Sequence, residues 1–374
     1  MIIGIVCYPT YGGSGVVATE LGKALAKKGH QIHFISYNRP VRLEAFDENI
    51  SYHEVNVSDY PLFDYQPYEL VLASKLVDVV KFENLDLLHV HYAIPHASSA
   101  YMAQQILKSE GIDIPFITTL HGTDITLVGK DSSFEPVITF AINQSTAVTT
   151  VSESLKRDTY EHFKVSRDIH VIPNFVCLEE CETPAIDLDL KKSMAPNGEK
   201  ILAHVSNFRK VKRICDVVDV FIRVRKEMPA KLMLVGDGPE RHLAETKLRE
   251  VGLSEDLIVM GKVNDTGRVL SIADLFLLTS ESESFGLAAL EAMAVGVPVI
   301  SSNTGGIPEV NDHGFSGYLS NVGDTEDMAK NALSLLQDEE KLSLFKQQAY
   351  GQAKLFDILN ILPQYESLYQ SVIQ

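Results

Sequence analysis

The chain has 374 residues, 45% of them hydrophobic, with a formal charge of −17 and a pI near 5.1. That length exceeds what a single hydrophobic core usually serves, so two domains are expected. The acidic balance excludes nucleic acid or an anionic membrane surface as the main partner, since both require a basic face, and no apolar run approaches the roughly 20 residues that span a bilayer.

The apolar start, Met1 to Val6, has no charged leader region, so it predicts a first strand over residues 2–8 and not a signal peptide. A helix is expected over 16–28, with Val17, Leu21, Ala24 and Leu25 on one face, and a second strand over 31–37. In this βαβ unit the turn Tyr11-Gly12-Gly13-Ser14-Gly15 puts glycines at a helix N-terminus, where free amides suit an anion. Gly13-x-Gly15-x-x-Ala18 also meets the dinucleotide fingerprint. Against an NAD enzyme, the glycines come well after the strand, and the second strand ends in Tyr37-Asn38-Arg39 with no carboxylate for a ribose. Arg39 leaves an NADP reading open.

Further strands are expected over 50–57, 85–90, 116–120, 147–151 and 170–172, with helices between most of them. Such alternation means a parallel sheet with ligands at the strands' C-terminal ends. Those ends carry His89-Val90-His91-Tyr92 and His121-Gly122-Thr123-Asp124. His89 and His91 share a strand face and His96 follows, which makes zinc conceivable. Structural zinc wants four ligands, so polar lining of a cleft is the better reading. Cys7, Cys177, Cys181 and Cys215 form no CxxC pair and no zinc spacing, which suits a reduced, cytoplasmic chain; free thiols explain Cys177 and Cys181 better than a redox pair.

A boundary is expected near Pro173-Asn174-Phe175. Residues 177–199, with Pro184, Pro196 and Gly198, then lose periodicity and read as an exposed connection, in which Asp187-x-Asp189 resembles a metal-binding DxD but reads as solvated. A second sheet follows, with strands over 201–205, 232–235, 257–260, 275–278 and 297–300. Its first strand runs into Ser206-Asn207-Phe208-Arg209-Lys210-Val211-Lys212-Arg213. A cationic run at a strand's C-terminal end points to diphosphate recognition.

The stretch from Glu281 to Ile300 reads as a helix between two buried strands, with Ser284 as its cap, Leu287, Leu290 and Met293 on one stripe, and Gly296 and Pro298 ending it. The amides around Ser284, Phe285, Gly286 and Leu287 suit a phosphate. At about 1.5 Å rise per residue, Glu291 lies roughly 6–9 Å from that anion, one pentose away. This spacing places Glu291 on ribose hydroxyls and Glu283 on the group beyond the diphosphate.

Glu283-x7-Glu291 with SFGLAAL between resembles the signature of the family-4 retaining glycosyltransferases, and the GGSG loop and the HGTD and GDGP turns extend the resemblance over essentially the whole chain. It implies an α/β GT-B fold, two Rossmann-like doubly wound domains facing across a cleft. Residues 1–173 would form the acceptor domain, 174–355 the UDP-sugar domain, and 356–374 a helix crossing back. It further implies that His121 lines the donor sugar, that Glu283 holds its hydroxyls, and that Lys212 and Arg209 meet the diphosphate. Here the chain departs from the family: Lys212 matches its lysine, but Asn207 stands where an arginine is expected, and Arg209 supplies the charge from a shifted position. Val263, after Gly261-Lys262, falls near the nucleotide base. No residue stands out as a base, and in such enzymes the leaving phosphate takes the acceptor's proton.

Within that family, CYPTYGGSGVVATELGKALAKKGH, HVHYAIPHASSAY, TTLHGTDITLVG and SNFRKVKR are similar to the branch that moves N-acetylglucosamine from UDP-N-acetylglucosamine to the hydroxyl of L-malate, in bacillithiol biosynthesis. No metal or other cofactor, no nucleic acid and no membrane insertion are expected; a homo-oligomer is allowed. For a small dicarboxylate acceptor, the amides of Gly13, Ser14 and Gly15 with the hydroxyls of Tyr92 and Thr123 suit one carboxylate, and Arg42 and Lys130 are candidates for the other. An inositol phosphate would fit the same amides. A non-catalytic nucleotide-sugar-binding protein is the other reading.

Overall fold

The computed structural model describes every residue except Tyr11, 44–46, 58–65, 128–130, 179–185 and Gln374. Two compact units divide it: Met1–Asn174 with Ile358–Gln374, and Phe175–Asp357.

The first unit is built on strands β1 (Ile2–Val6), β2 (Gln31–Ser36), β3 (Ile50–Glu54), β4 (Leu87–His91), β5 (Phe116–Leu120), β6 (Ala147–Thr150) and β7 (Ile169–Val171). They pair in parallel in the order β3-β2-β1-β4-β5-β6-β7, so the chain reverses its direction of growth between β1 and β4. Ligands of doubly wound sheets bind beyond the strand ends at such a switch point. Strands covered on both faces read as nearly unbroken apolar runs, and the polar residues within them need partners. Thr119 Oγ1 and Thr149 Oγ1 lie 2.6 Å apart and Thr118 Oγ1 and Ser145 Oγ 2.8 Å apart. The final helix, Ile358–Ile373, belongs to this unit: its Tyr369 hydroxyl meets His89 Nδ1 at 2.7 Å, and Glu366 meets His30 at 3.1 Å.

The second unit carries β8 (Lys200–Val205), β9 (Ala230–Val235), β10 (Leu257–Gly261), β11 (Leu275–Leu278), β12 (Val299–Ser302) and β13 (Gly317–Ser320), again all parallel, in the order β10-β9-β8-β11-β12-β13. Its switch point lies between β8 and β11. One core cluster joins Leu202, Leu232, Leu234 and Leu275 of the strands to Val217, Phe221 and Val224 of the helix Ile214–Glu227.

Some expectations need correction. Residues 177–199 are not all irregular: a helix spans Leu188–Met194, with Asp187 capping it by accepting from Leu190 N at 2.9 Å and pairing with Arg268 at 2.7 Å. Asp187 is therefore a cap and an ion-pair partner, not a solvated carboxylate. β12 starts two residues late because Gly296, at φ +76°, still belongs to the turn. β13 was not expected. Cys7 is buried, and Cys7 and Cys215 are free thiols, while Cys181 and Pro184 lie outside the described residues.

Candidate active site

In the second unit the functional side chains gather where β8 and β11 end. His204, near the end of β8, is fully buried; its Nδ1 donates to Leu277 O at 2.8 Å, and its Nε2 lies 2.8 Å from Ser206 Oγ. Burial pushes this imidazole down to about 4, so it stays neutral and leaves Nε2 to accept. Ser206 Oγ in turn accepts from Phe208 N at 3.1 Å. Phe208, at φ +39°, buries its ring completely, worth about 2–3 kcal/mol. Together these pin the loop whose short turn Lys210–Lys212 presents the cations.

The turn is also tied to β11. Thr279 Oγ1 donates to Lys212 O at 3.0 Å, and Glu281 N donates to Val211 O at 2.8 Å. The result is that Lys212 Nζ lies 2.5 Å from Glu283 Oε2, which also accepts from Ser280 Oγ at 3.1 Å. Arg213 is committed to Asp216 at 2.6 Å. Arg209 and Lys210 are both exposed and make no ion pair among the described residues, so they are the uncommitted cations of the run.

The helix after Glu283 starts later than expected. Gly286 is its N-cap, at φ +98°, and the helix runs Leu287–Ala294; Ser284 does not cap it, because the left-handed glycine turns the chain instead. The first bonds of this end are Ala289 N and Leu290 N to Gly286 O, so the amides of Leu287 and Ala288 precede the intrahelical ladder. Phe285 buries its ring edge-on against Phe356, leaving its backbone as the part available to a ligand. Glu291 is half-buried on the helix, and Val263 is half-buried just after β10.

Sequence reasoning missed what holds Glu283. Gly306 N donates to Glu283 O at 2.9 Å, and a Cβ on Gly305 would lie 2.0 Å from the same carbonyl, while one on Gly306 would lie 2.3 Å from Ser284 O. A glycine pair just beyond a strand end was the available signal. Likewise a Cβ on Gly236 would sit 2.0 Å from Ser206 O, which explains the first glycine of the GDGP turn by close backbone approach.

In the first unit the helix Gly13–Lys27 opens with Gly12 in extended conformation and no side-chain cap. Gly15 is required by packing: a Cβ there would lie 2.5 Å from Thr10 O and 2.6 Å from Tyr8 O. This accounts for the glycine that mimics a dinucleotide fingerprint. Tyr92, at φ +85°, donates its hydroxyl to Ser14 Oγ at 2.7 Å and so joins the end of β4 to the glycine turn. Thr123 is exposed beside it in sequence to Asp124, whose Oδ2 accepts from Ala93 N at 2.8 Å. Burial raises the Asp124 carboxyl to about 6.

The histidines form a chain of paired rings. His89 lies 2.7 Å from both Tyr369 Oη and Thr119 Oγ1, and His91 Nδ1 lies 2.7 Å from His121 Nε2. His96 Nδ1 bonds His91 O. Burial pushes His89 and His121 down to about 3 and His96 to about 4, so all three are neutral. His89 has spent both nitrogens, which removes it from the conceived zinc site; the buried Nε2 atoms of His91 and His96 have no partner among the described residues. Arg42 adopts φ +61°, and Lys130 and Tyr11 lie outside the described residues. No helix among the described residues is long and apolar enough to cross a membrane.

Comparison with known proteins agrees with this chemistry. The model "Glycosyltransferase Family 4" matches residues 11–180, and "Glycosyl transferases group 1" matches 186–352. The N-acetyl-alpha-D-glucosaminyl L-malate synthase of Bacillus anthracis is 48% identical over 374 residues, covering 100% of this chain and 97% of that protein. Among solved structures, Anabaena HepE in complex with UDP and glucose aligns with a TM-score of 0.82 at 18% identity, over 99% of this chain and 100% of that one. Sucrose-phosphate synthase from Thermosynechococcus elongatus aligns with a TM-score of 0.78 at 20% identity, over 100% and 99%. The two parallel-sheet units are those of the GT-B fold, and the chain belongs to the family-4 glycosyltransferases.

Proposed function

We propose that this glycosyltransferase moves N-acetylglucosamine from UDP-N-acetylglucosamine to the hydroxyl of L-malate with retention of anomeric configuration, the opening step of bacillithiol biosynthesis. The observation that carries the reading is full-length similarity at 48% identity to a glucosaminyl malate synthase, together with a cation and a carboxylate paired beyond the neighbouring ends of β8 and β11.

Unit two takes the donor. The amides at Gly286, Leu287 and Ala288 and the charges of Lys212 and Arg209 answer the diphosphate, which gains negative charge as the glycosidic bond breaks. Glu291 holds the ribose, Val263 lies by the base, and Glu283 holds sugar hydroxyls. In unit one His121, neutral and oriented by His91, offers a hydrogen bond to the sugar without adding charge. The amides of Gly13 and Ser14, the Ser14 hydroxyl oriented by Tyr92, and Thr123 take an acceptor carboxylate, while the Gly15 amide, also expected there, already donates to Gly12 O at 3.0 Å. The leaving phosphate accepts the acceptor's proton, and cationic side chains do the work that a divalent metal does elsewhere. A cytoplasmic setting suits the free thiols of Cys7 and Cys215.

The test offers UDP-N-acetylglucosamine with L-malate, D-malate, inositol phosphate or glucose, with and without exhaustive chelation, following UDP release and product mass. Turnover with L-malate that survives chelation is expected. Preference for a cyclitol phosphate would discard the acceptor, and activity restored only by magnesium or manganese would discard the metal-free step.

A further inference from the structure

Three metal-ligating side chains meet in the first unit on the far side of β1 from the histidines of β4 and β5. They are His33 of β2, His53 of β3 and Glu83, the last residue of the helix Tyr68–Glu83. One ligand atom from each lies within 4.8 Å of the other two. His33 Nδ1 and His53 Nε2 are 2.9 Å apart, their rings stacked at 20°. The register produces this: Ile35 pairs with His53 and His33 with Ser51, so both imidazoles fall on one face of the sheet.

We propose that His33 Nδ1, His53 Nε2 and a Glu83 carboxylate oxygen form a site for a borderline first-row divalent cation, zinc in the first instance, with solvent completing the shell. Two imidazoles and one carboxylate are a donor set that zinc favours. Tetrahedral zinc at about 2.0–2.1 Å from each nitrogen needs the two nitrogens about 3.3 Å apart, so the rings need part by only ~0.4 Å. The ring that now donates the proton between them moves it to its far nitrogen, which leaves both facing nitrogens with lone pairs for the ion. Glu83 ends a helix, where the backbone carbonyls add partial negative charge. Lys75, on the same helix, opposes a cation at His53, but Glu83 offsets it.

The consequence is structural. Among the described strands β3 lies at the sheet edge, hydrogen-bonded to β2 alone, and an ion here would clip it to both β2 and the helix. None of the three residues has a role in the reaction proposed above, so this site stands or falls independently of it.

The experiment uses the full chain, stripped by chelation and titrated with zinc, comparing wild type with His53→Gln and Glu83→Gln. Cobalt serves as the visible probe of ligand geometry. His53 is half-exposed on an edge strand, so its variant keeps the fold, and circular dichroism checks this. One zinc per chain, with a thermal transition that rises on zinc addition, is expected for wild type. Both variants should bind at least about tenfold more weakly, and lose the thermal response, because removing a ligand costs no less than losing an outer-shell partner. No zinc binding by wild type, or the same affinity and stoichiometry in His53→Gln as in wild type, would overturn the site.

Discussion

Lys212 Nζ and Glu283 Oε2 lie 2.5 Å apart although 71 residues separate them, and both side chains are mostly buried. The pair joins the cation proposed for the donor's phosphate to the carboxylate proposed for its sugar. Without donor, each neutralises the other. A sugar nucleotide must therefore separate them, giving Lys212 to phosphate and Glu283 to hydroxyls.

This relationship predicts opposite effects of one substitution on two measurements. Glu283→Gln removes the charge that competes for Lys212, so UDP should bind as tightly as to wild type or tighter. Turnover should fall by about tenfold or more, since hydrogen bonds to charged groups are worth about 1.5–3 kcal/mol. Calorimetry with UDP and steady-state kinetics read the two arms. A parallel loss of UDP affinity would show that Glu283 supports the nucleotide and not the sugar.

The position of Glu283 depends on the glycine pair behind it. Gly305, at φ +55°, leaves no room for a Cβ against Glu283 O, whereas Gly29, at φ +87°, has nothing within 4 Å. Both Gly→Ala changes carry the left-handed strain of about 1–2 kcal/mol. Only Gly305→Ala should also displace Glu283, so it should lose most of its turnover while Gly29→Ala loses stability alone. Thermal unfolding and kcat, measured on both, separate strain from displacement.

The sheets were largely legible because a strand buried on both faces is a short apolar run, as at Phe116–Leu120 and Leu275–Leu278, whose ends match the expected ones. β13 escaped because Gly317–Ser320 is too short and too polar to show a pattern. The start of the helix at Leu287 was misplaced because Ser284 is the better cap by residue type, while Gly286 takes the cap position through a left-handed turn that composition does not announce. The candidate residues near the anion site were legible as a spacing. What positions them was not: His204 acts through Ser206 and Phe208, and Lys212 meets Glu283 only through the switch-point topology. A polar residue inside an apolar strand does not say whom it will meet.

The buried imidazoles predict acid lability. His89, His96, His121 and His204 have folded values of about 3 to 4, below the ordinary 6.5, and His91 is lowered as well. Their contribution to stability is present above pH 6.5 and is lost as pH falls toward the folded values, because the unfolded chain then binds more protons. Asp124 works in reverse: raised to about 6, its contribution is present below 3.8 and is lost as pH rises through 6. The imidazoles outnumber it, so stability should fall from about pH 6.5 downward. Each buried imidazole contributes about 1.4 kcal/mol per pH unit. His89→Gln, which can still bond Tyr369 and Thr119, should flatten the loss by about 2 kcal/mol between pH 7 and pH 5 in urea unfolding, since about 1.5 pH units of that interval lie below 6.5. An unchanged slope would mean that His89 binds protons in the fold as it does in the unfolded chain.

The acceptor end can be tested without disturbing the donor end. Tyr92 donates to Ser14 Oγ at 2.7 Å, so the hydroxyl that Ser14 offers a carboxylate is oriented by Tyr92. Ser14→Ala removes that donor together with its bond from Tyr92; Tyr92→Phe keeps Ser14 but releases its orientation. Each should raise KM for L-malate by about 3- to 20-fold, corresponding to a hydrogen bond of about 0.5–1.5 kcal/mol plus lost alignment. Because the two act as one unit, the double variant should cost little more than Ser14→Ala alone. UDP affinity should not change in any of them, since Lys212, Glu283 and Glu291 lie on the other compact unit. Additive losses would separate Tyr92 from Ser14, and a fall in UDP affinity would move the glycine turn from the acceptor to the donor.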